Sequence, residues 1–199
     1  MKVTAVIMAA GKSKRMKTAL PKVLHPILGM PMIEYSIDAV KAVSAGLPVA
    51  IIGHGGEKVR QVAGNKVRFV VQKEQLGTAH AVQQTRRILE GKTDLVVIIS
   101  ADMPLLRSQN IKKLIDLQIQ NHGPLSFISL IGDSSHDFGR VMRDDSGNIL
   151  GVVEERVATS EQLEIKEYNA SVYCLRASWL WNALEKVDKS PVGEYYLTD

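Results

Sequence analysis

The chain of 199 residues contains very little cysteine and no long apolar run. Its single cysteine, Cys174, lies in an apolar alternation, which is typical of a buried core thiol in a reducing cytosol. No stretch approaches the roughly 18 apolar residues of a membrane helix. The short apolar start runs into Gly-Lys-Ser-Lys-Arg, unlike a secretory signal. We therefore expect a soluble, cytoplasmic protein with no membrane partner.

Acidic residues are missing from the first 33 positions, although the whole chain is nearly balanced in charge. With 25 basic and 21 acidic residues the net charge is +4, which argues against a nucleic-acid partner. The acid-free start is nevertheless rich in cations, and five of them fall between positions 12 and 22: Lys12, Lys14, Arg15, Lys17 and Lys22. This cluster is either a solvated surface loop or a site for phosphates.

Repeats, low-complexity tracts and flexible linkers are also absent, and the length favours one domain covering residues 1–199. Short apolar runs alternate with segments of helical periodicity. The runs are continuous, as in strands buried on both faces, and they cover residues 3–10, 48–53, 67–72, 95–100 and 125–131. This order predicts an α/β fold with three layers and a largely parallel sheet.

The pattern changes after about residue 136. The stretch "FGRVMRDDSGNILGVVEE" predicts a hairpin with its turn at Asp145-Ser146-Gly147-Asn148, and "EYNASVYCLR" predicts a further strand. The sheet should therefore become mixed. The helical periodicities that precede it run through residues 33–43, 79–89 and 111–119.

Ligands of open α/β sheets bind at the carboxyl ends of the strands, so the loops after the apolar runs are the first candidates. The first, "AAGKSKRM", matches neither GxGxxG nor GxxxxGK[ST]. The small residues Ala9, Ala10 and Gly11 would let a ligand approach the backbone, and the cations after them could neutralise a polyphosphate. Pro21 fixes the chain direction just before Lys22.

The loop "QKEQLGTAHA" follows the third apolar run. The carboxamide of Gln72 offers a donor and an acceptor side by side, which suits the imide edge of uracil. Thr78, after Gly77, is placed as the N-cap of the next helix. His80 is interpreted as a structural or solvated histidine rather than a catalyst.

Asp102, in "SADMPLL", follows six apolar residues and precedes Met-Pro. Its carboxylate could hold a divalent cation together with substrate phosphates, or it could cap the turn before Pro104. In the second half of the chain, Gly139, Glu154 and Asn169 offer an approachable backbone, an acceptor and an amide, which suit a polyol.

In this order, "AAGKSKRM", "LPKVLHPILGMPMIEY", "QLGTAHA", "ADMPLL", "FGRVMRDDSGNILGVVEE", "YNAS" and "GEYYLTD" closely resemble the nucleotidyltransferase (pyrophosphorylase) domain of bacterial bifunctional N-acetylglucosamine-1-phosphate uridyltransferases. The resemblance covers essentially the whole chain. It implies a Rossmann-like nucleotidyltransferase fold and an Mg²⁺-dependent enzyme that makes UDP-N-acetylglucosamine and pyrophosphate from UTP and the sugar 1-phosphate, feeding peptidoglycan precursor synthesis.

The resemblance also implies roles for individual residues. Arg15, Lys22 and Asp102 would be catalytic, with Asp102 as the metal ligand. Gly139, Glu154 and Asn169 would contact the amino sugar. The remaining matched positions would surround the nucleotide, and they are Met8, Ala9, Ala10, Gly11, Gln72, Gly77, Thr78, Ser100 and Ala101.

The chain departs from the family pattern in places. Ser100-Ala101-Asp102 stands where Tyr-Gly-Asp is usual, and Asn169-Ala170-Ser171 stands where "NTG" is usual. The resemblance also implies that the chain stops before the second metal ligand and before the left-handed β-helix domain that carries acetyl transfer and forms trimers. We therefore expect a truncated domain that is monomeric on its own. The alternatives are a related enzyme for another sugar phosphate or for molybdopterin guanylylation, and a non-catalytic sugar-nucleotide-binding module.

Overall fold

The computed structural model describes residues 1–11, 16–133 and 138–199. Its strands are β1 Val3–Ala9, β2 Pro26–Ile27, β3 Met30–Pro31, β4 Val49–Ile52, β5 Arg68–Val71, β6 Leu95–Ser100, β7 Leu125–Ile131, β8 Arg140–Arg143, β9 Ile149–Val153 and β10 Glu167–Arg176. Its α-helices are α1 Met32–Lys41, α2 Gly56–Ala63, α3 Thr78–Gln83, α4 Arg86–Leu89, α5 Ser108–Gln120, α6 Ser160–Leu163 and α7 Ala177–Leu184. Short 3₁₀ turns lie at Lys22–Leu24, Gly64–Lys66 and Glu155–Val157.

Eight strands form the main sheet, in the order β5-β4-β1-β6-β10-β8-β9, and β7 pairs with β10. The four strands from β5 to β6 are parallel, whereas β10 runs antiparallel to β6, β7 and β8. The small strands β2 and β3 form a separate antiparallel pair. The prediction of a mostly parallel sheet that becomes mixed after residue 136 is confirmed.

Helices cover both faces of this sheet, which confirms the three-layer prediction. On one face, Ala5 and Ile7 of β1 belong to a core with residues of α1, α2 and α5. On the other face, Val6 belongs to a second core with residues of α3, α4 and α7. Because successive side chains of a strand point to opposite faces, a strand between two helical layers needs a continuous apolar sequence. Both β1 and β6 have one.

Two strands do not follow the expectation of burial on both faces. β5 is an edge strand whose terminal residues are exposed, and β7 is half-buried with an exposed C-terminal end. The apolar runs gave the correct secondary structure there but the wrong burial, because each of these strands pairs with a single neighbour and lies at the margin of the sheet.

The helical periodicity of residues 79–89 breaks into α3 and α4 rather than forming one helix. The buried Thr85 lies at the break, where its backbone N–H and its hydroxyl both donate to the Val82 carbonyl, at 2.9 and 2.7 Å. A threonine hydroxyl that competes for a main-chain carbonyl in this way interrupts regular helix hydrogen bonding.

The predicted hairpin joins β8 to β9, and its turn is organised by the residue before the predicted one. Asp144 Oδ1 accepts from the backbone N–H of Ser146 at 3.0 Å and of Asn148 at 2.8 Å. Gly147 has φ +83°, which glycine adopts without strain. Elsewhere, Cys174 is fully buried and burial raises the pKa of its thiol to about 12, as expected of a core thiol.

The longest helix in the three described segments is α5, with 13 residues. No helix in those segments is both long enough and apolar enough to cross a bilayer.

Candidate active site

The parallel strands bring three of the predicted loops to one edge of the sheet. In the strand register Met8 pairs with Ser100, Ala9 with Ile52, and Ile52 with Val71. The residues that follow these strands therefore lie side by side. They are Ala10 and Gly11 after β1, Gln72 after β5, and Ala101 and Asp102 after β6.

The first loop has open space where the small residues were predicted to admit a ligand. A Cβ atom added at Gly11 would meet no other described atom within 4 Å, whereas Ala9 and Ala10 are buried. The close contact in this region falls instead at Gly53, where a Cβ would lie 2.7 Å from the Ala10 carbonyl oxygen. Sequence reasoning missed Gly53, since nothing local marks it as a contact of the first loop.

Arg15, predicted as a phosphate ligand, lies outside the described residues together with Lys12, Ser13 and Lys14. Its role stays a prediction. Lys22 is described, and it begins the 3₁₀ turn that follows Pro21. The Pro21 ring packs against Gly55, where an added Cβ would lie only 2.7 Å from Pro21 Cγ.

Lys22 and Asp102 form an ion pair at this edge of the sheet. The Lys22 Nζ lies 2.6 Å from Asp102 Oδ2, although the two residues are eighty positions apart. The Ser100 hydroxyl donates to Asp102 Oδ1 at 2.5 Å. Ser100 was predicted to surround the nucleotide and departs from the usual Tyr-Gly-Asp, and the structure gives it a contact to Asp102 that the sequence did not predict.

The electrostatic surroundings keep Asp102 ionised. Burial alone would raise the pKa of its carboxyl, but the hydrogen bonds from Lys22 and Ser100, with the lysine charge, outweigh burial and hold the pKa below its ordinary value. The side chain remains 30% exposed. Asp102 is therefore a charged oxygen donor that a solute can reach.

The donor set at Asp102 fits magnesium. Each carboxylate oxygen has a lone-pair site beyond the one that Lys22 or Ser100 uses. Across residues 1–11, 16–133 and 138–199, no group of three or more His, Cys, Asp or Glu side chains is arranged to hold a metal. An ion at Asp102 would need further oxygens from substrate phosphates, which is the usual arrangement for Mg²⁺.

The loop after β5 is held by its own side chains. Gln72 is only 3% exposed, and its Nε2 lies 3.1 Å from the Gly77 carbonyl oxygen and 3.0 Å from His80 Nδ1. Gly77 has φ +111°, and a Cβ there would collide with the Tyr195 backbone. Only glycine fits this position without strain.

Thr78 is not the N-cap that the sequence predicted. The N-cap of α3 is Gly77, and no side chain caps the helix. The Thr78 hydroxyl instead accepts from the backbone N–H of Leu197 at 2.8 Å. The prediction was wrong because the Thr78 hydroxyl is hydrogen-bonded by Leu197, 119 positions away, and not by the first turn of α3.

The "GEYYLTD" segment clamps the loop after β5. The backbone N–H of Tyr195 donates to the Leu76 carbonyl at 2.8 Å, and that of Ala79 donates to the Tyr195 carbonyl at 3.0 Å. The Thr198 hydroxyl donates to Glu154 Oε1 at 2.9 Å. This one segment therefore connects the predicted nucleotide loop to a predicted sugar residue.

The three predicted sugar residues lie together in the antiparallel part of the sheet. The Asn169 backbone N–H donates to the Gly139 carbonyl at 2.8 Å, and a Cβ on Gly139 would lie 3.6 Å from Glu154 Oε1. Asn169 is buried, and its side chain bonds the Tyr173 hydroxyl at 2.6 Å and the Ser171 N–H at 3.1 Å.

Glu154 differs from Asp102 in its electrostatics. Burial raises the pKa of its carboxyl above the ordinary value, and the Thr198 hydrogen bond only partly offsets this. The negative charges of Asp199 and Glu194 raise it further, while Arg156 acts in the opposite direction. Glu154 is thus an acceptor whose ionised form is disfavoured.

A cavity of about 700 Å³ lies apart from the strand ends, between β7, β9 and α7. Apolar side chains dominate its wall, including Leu125, Phe127, Leu180 and Leu184. None of the predicted site residues lines it.

Sequence comparison relates this chain to proteins of known families. A family model described as the MobA-like NTP transferase domain matches residues 5–136. The bifunctional protein GlmU of Lactobacillus delbrueckii subsp. bulgaricus is 40% identical over 195 residues, covering 98% of this chain and 42% of that protein. GlmU of Listeria monocytogenes serotype 4a is 38% identical over 196 residues, covering 98% of this chain and 43% of that protein.

The chain thus spans less than half the length of these relatives. Among solved structures, UDP-glucose pyrophosphorylase complexed with UDP-glucose has a similar fold, with a TM-score of 0.75, 17% identity, and coverage of 100% of this chain and 85% of that one. This confirms the predicted fold class. On the family match over residues 5–136, the chain belongs to the MobA-like NTP transferase domain family.

Proposed function

We propose that this protein transfers the uridylyl group of UTP to N-acetylglucosamine 1-phosphate, giving UDP-N-acetylglucosamine and pyrophosphate. The observation that carries the proposal is the Lys22–Asp102 ion pair at the carboxyl edge of the parallel strands. It supplies a cation and an ionised oxygen ligand beside two loops suited to a nucleotide. The relatives that share 38–40% identity over nearly the whole chain are named GlmU, which supports the same reaction.

The reaction requires positioning and charge neutralisation rather than a covalent enzyme intermediate. A phosphate oxygen of the sugar phosphate attacks the α-phosphorus of UTP in line, the new P–O bond forms, and the bond to the β-phosphate oxygen breaks. Pyrophosphate leaves with the electron pair of that bond. In this proposal Lys22 stabilises the negative charge that develops on the leaving group, and Arg15 assists it.

Asp102 would hold Mg²⁺, and Ser100 would orient its carboxylate through the 2.5 Å hydrogen bond. When bound, the ion supplies positive charge that screens the phosphates from one another. Because Lys22 already keeps Asp102 ionised, the carboxylate is ready to bind a cation at neutral pH.

The two substrates would occupy different parts of the same sheet edge. The uracil would lie at Gln72 and at the backbone of Gly77 and Met8–Gly11. The amino sugar would lie at Gly139, Glu154 and Asn169, where Glu154 accepts from sugar hydroxyls. A structural neighbour that holds UDP-glucose on a similar fold is compatible with this arrangement. A cytoplasmic location fits a chain with one buried cysteine and no disulfide.

The test is pyrophosphate release from each nucleoside triphosphate paired with N-acetylglucosamine 1-phosphate or glucose 1-phosphate, with Mg²⁺ or with EDTA. We expect release with UTP and N-acetylglucosamine 1-phosphate only when Mg²⁺ is present. Activity with another sugar phosphate would make the chain a related sugar enzyme. Tighter binding of GTP than of UTP, with no pyrophosphate release from either sugar phosphate, would favour molybdopterin guanylylation. Binding without turnover would indicate a non-catalytic module.

A further inference from the structure

The amide of Gln72 is fixed by two neighbours. Its Nε2 lies 3.1 Å from the Gly77 carbonyl oxygen and 3.0 Å from His80 Nδ1. A carbonyl oxygen can only accept a hydrogen bond, so the Gln72 nitrogen, not its oxygen, faces Gly77. Gly77 in turn cannot shift easily, since it packs against the Tyr195 backbone.

The orientation of Gln72 dictates the state of His80. Because Nε2 of the amide is a donor, His80 Nδ1 must accept, and a neutral imidazole that accepts at Nδ1 carries its proton at Nε2. Both hydrogens of the Gln72 amide are then engaged. Oε1, an acceptor alone, is the group of Gln72 that remains for a ligand.

We propose that His80 is a positioning residue that makes the base site read uracil and reject cytosine. This inference rests on the proposed uridylyl transfer. Uracil presents an N3–H donor that Gln72 Oε1 can accept, whereas cytosine presents a bare N3 acceptor that would face the same oxygen. Repulsion between two acceptors disfavours the wrong base, and this is how a site with a fixed polar group gains specificity.

Without His80, the amide would be held only by the Gly77 carbonyl. Rotation of the carboxamide would then cost one hydrogen bond rather than two, so Nε2 could turn toward the base more often and donate to the cytosine N3. The Gly77 carbonyl still opposes this rotation, so the preference for uracil weakens rather than disappears. Sequence reasoning interpreted His80 as structural or solvated. The structure places its Nδ1 on the side chain that is predicted to contact the base.

The test compares kcat/KM for UTP and CTP in the wild type and three variants. His80→Leu removes the acceptor but retains bulk, while His80→Asn can return an acceptor oxygen near the Nδ1 position. His122→Ala removes an exposed histidine at the end of α5 as a control. Losing one oriented hydrogen bond is worth about tenfold.

We expect His80→Leu to lower the UTP/CTP ratio about tenfold through the nucleotide KM, with the KM for the sugar phosphate unchanged. His80→Asn should restore most of the ratio, and His122→Ala should leave it unaltered. Equal losses for UTP and CTP in His80→Leu, or no recovery in His80→Asn, would overturn the proposal.

Calorimetric binding of UDP and CDP, with thermal melting to verify folding, separates this inference from the proposed function. If the wild type releases no pyrophosphate, the proposed function fails, but selective UDP binding that His80→Leu removes would still support the positioning role. If the wild type turns over UTP and His80→Leu remains selective for UDP, His80 does not set the base preference.

Discussion

The two parts of the sheet present their functional groups in different ways. In the parallel part, β5-β4-β1-β6, the strand ends place Gln72 and Asp102 at one edge by topology alone. In the antiparallel part, Gly139 and Asn169 are brought together by strand pairing, and the segment around Thr198 contacts Glu154 from the far end of the chain. The first arrangement can be anticipated from a pattern of strands, and the second depends on distant contacts.

The two parts also treat a carboxylate differently. Asp102 has a lysine partner and its pKa is lowered, whereas burial raises the pKa of Glu154. A lone carboxylate that is to hold Mg²⁺ must be ionised. A carboxyl group that accepts from sugar hydroxyls can instead be buried, and its burial then costs stability when it ionises. The predicted phosphate side and the predicted sugar side therefore differ in whether a nearby cation stabilises the ionised carboxylate.

The largest effect should follow from removing the charge of Asp102. Asp102→Asn keeps an oxygen for Ser100 but loses the negative charge, so we expect Mg²⁺-dependent turnover to fall by about 10³-fold while the fold survives. Initial rates across a Mg²⁺ titration measure this, with circular dichroism to confirm folding. Asp116→Asn, on the exposed side of α5, is the matched control. A normal Mg²⁺ titration in Asp102→Asn would show that Asp102 does not hold the metal.

A smaller but still large effect is expected at Lys22. Lys22→Ala should lower kcat by about 10²-fold, since Asp102 holds its ammonium where the phosphates are predicted to bind. Lys17→Ala removes an exposed lysine of the same basic segment and should change kcat less than twofold. Steady-state rates with saturating UTP distinguish the two. Equal, small losses in both variants would mean that the basic segment is a solvated surface.

On the sugar side the expected effect is on stability. The raised pKa of Glu154 means that the folded state binds its proton more tightly than the unfolded chain. Stability therefore falls as the pH rises from the ordinary carboxyl pKa through the folded one, and the deficit is complete once the pH exceeds the folded pKa. Glu154→Gln should melt higher than the wild type at pH 7.5.

This advantage should shrink as the pH is lowered below the ordinary pKa of glutamate, where both states of the wild type hold the proton. Thermal melts of wild type, Glu154→Gln and the exposed control Glu164→Gln across that range measure the difference. A gain that does not depend on pH, or one that Glu164→Gln shares, would contradict the assigned cause.

The smallest effect is expected at Ser171, within the irregular pairing of β10 with β7. Ser171 has φ +56°, a left-handed conformation that costs a residue with a side chain roughly 1–2 kcal/mol. Replacing Ser171 by glycine removes this cost, but the greater conformational freedom of glycine in the unfolded chain offsets part of the gain in stability. Ser171→Gly should therefore raise the melting temperature by about 2 °C, whereas Ser171→Ala, which keeps Cβ, should not. Calorimetry that finds no difference between the two variants would argue against backbone strain.

The sequence predicted much of the fold because buried strands have continuous apolar runs. The bounds of β6, β7 and β10 agree with the predicted ones to the residue. The glycine that the resemblance implies in place of Ser171 has a physical reason, since the backbone there is left-handed. The close approach at Gly53 and the clamp at Tyr195 were not predicted, because each depends on packing between segments that the local sequence does not connect. Ser100 was predicted near the nucleotide, but its hydrogen bond to Asp102 was not.

Steady-state kinetics of Gln72→Ala and Glu154→Gln, measured side by side with both substrates varied, test the division of the site most directly. We expect Gln72→Ala to raise the KM for UTP about tenfold and to leave the KM for the sugar phosphate within twofold, and Glu154→Gln to do the reverse. If both variants raise both KM values alike, the two parts of the sheet do not bind separate substrates.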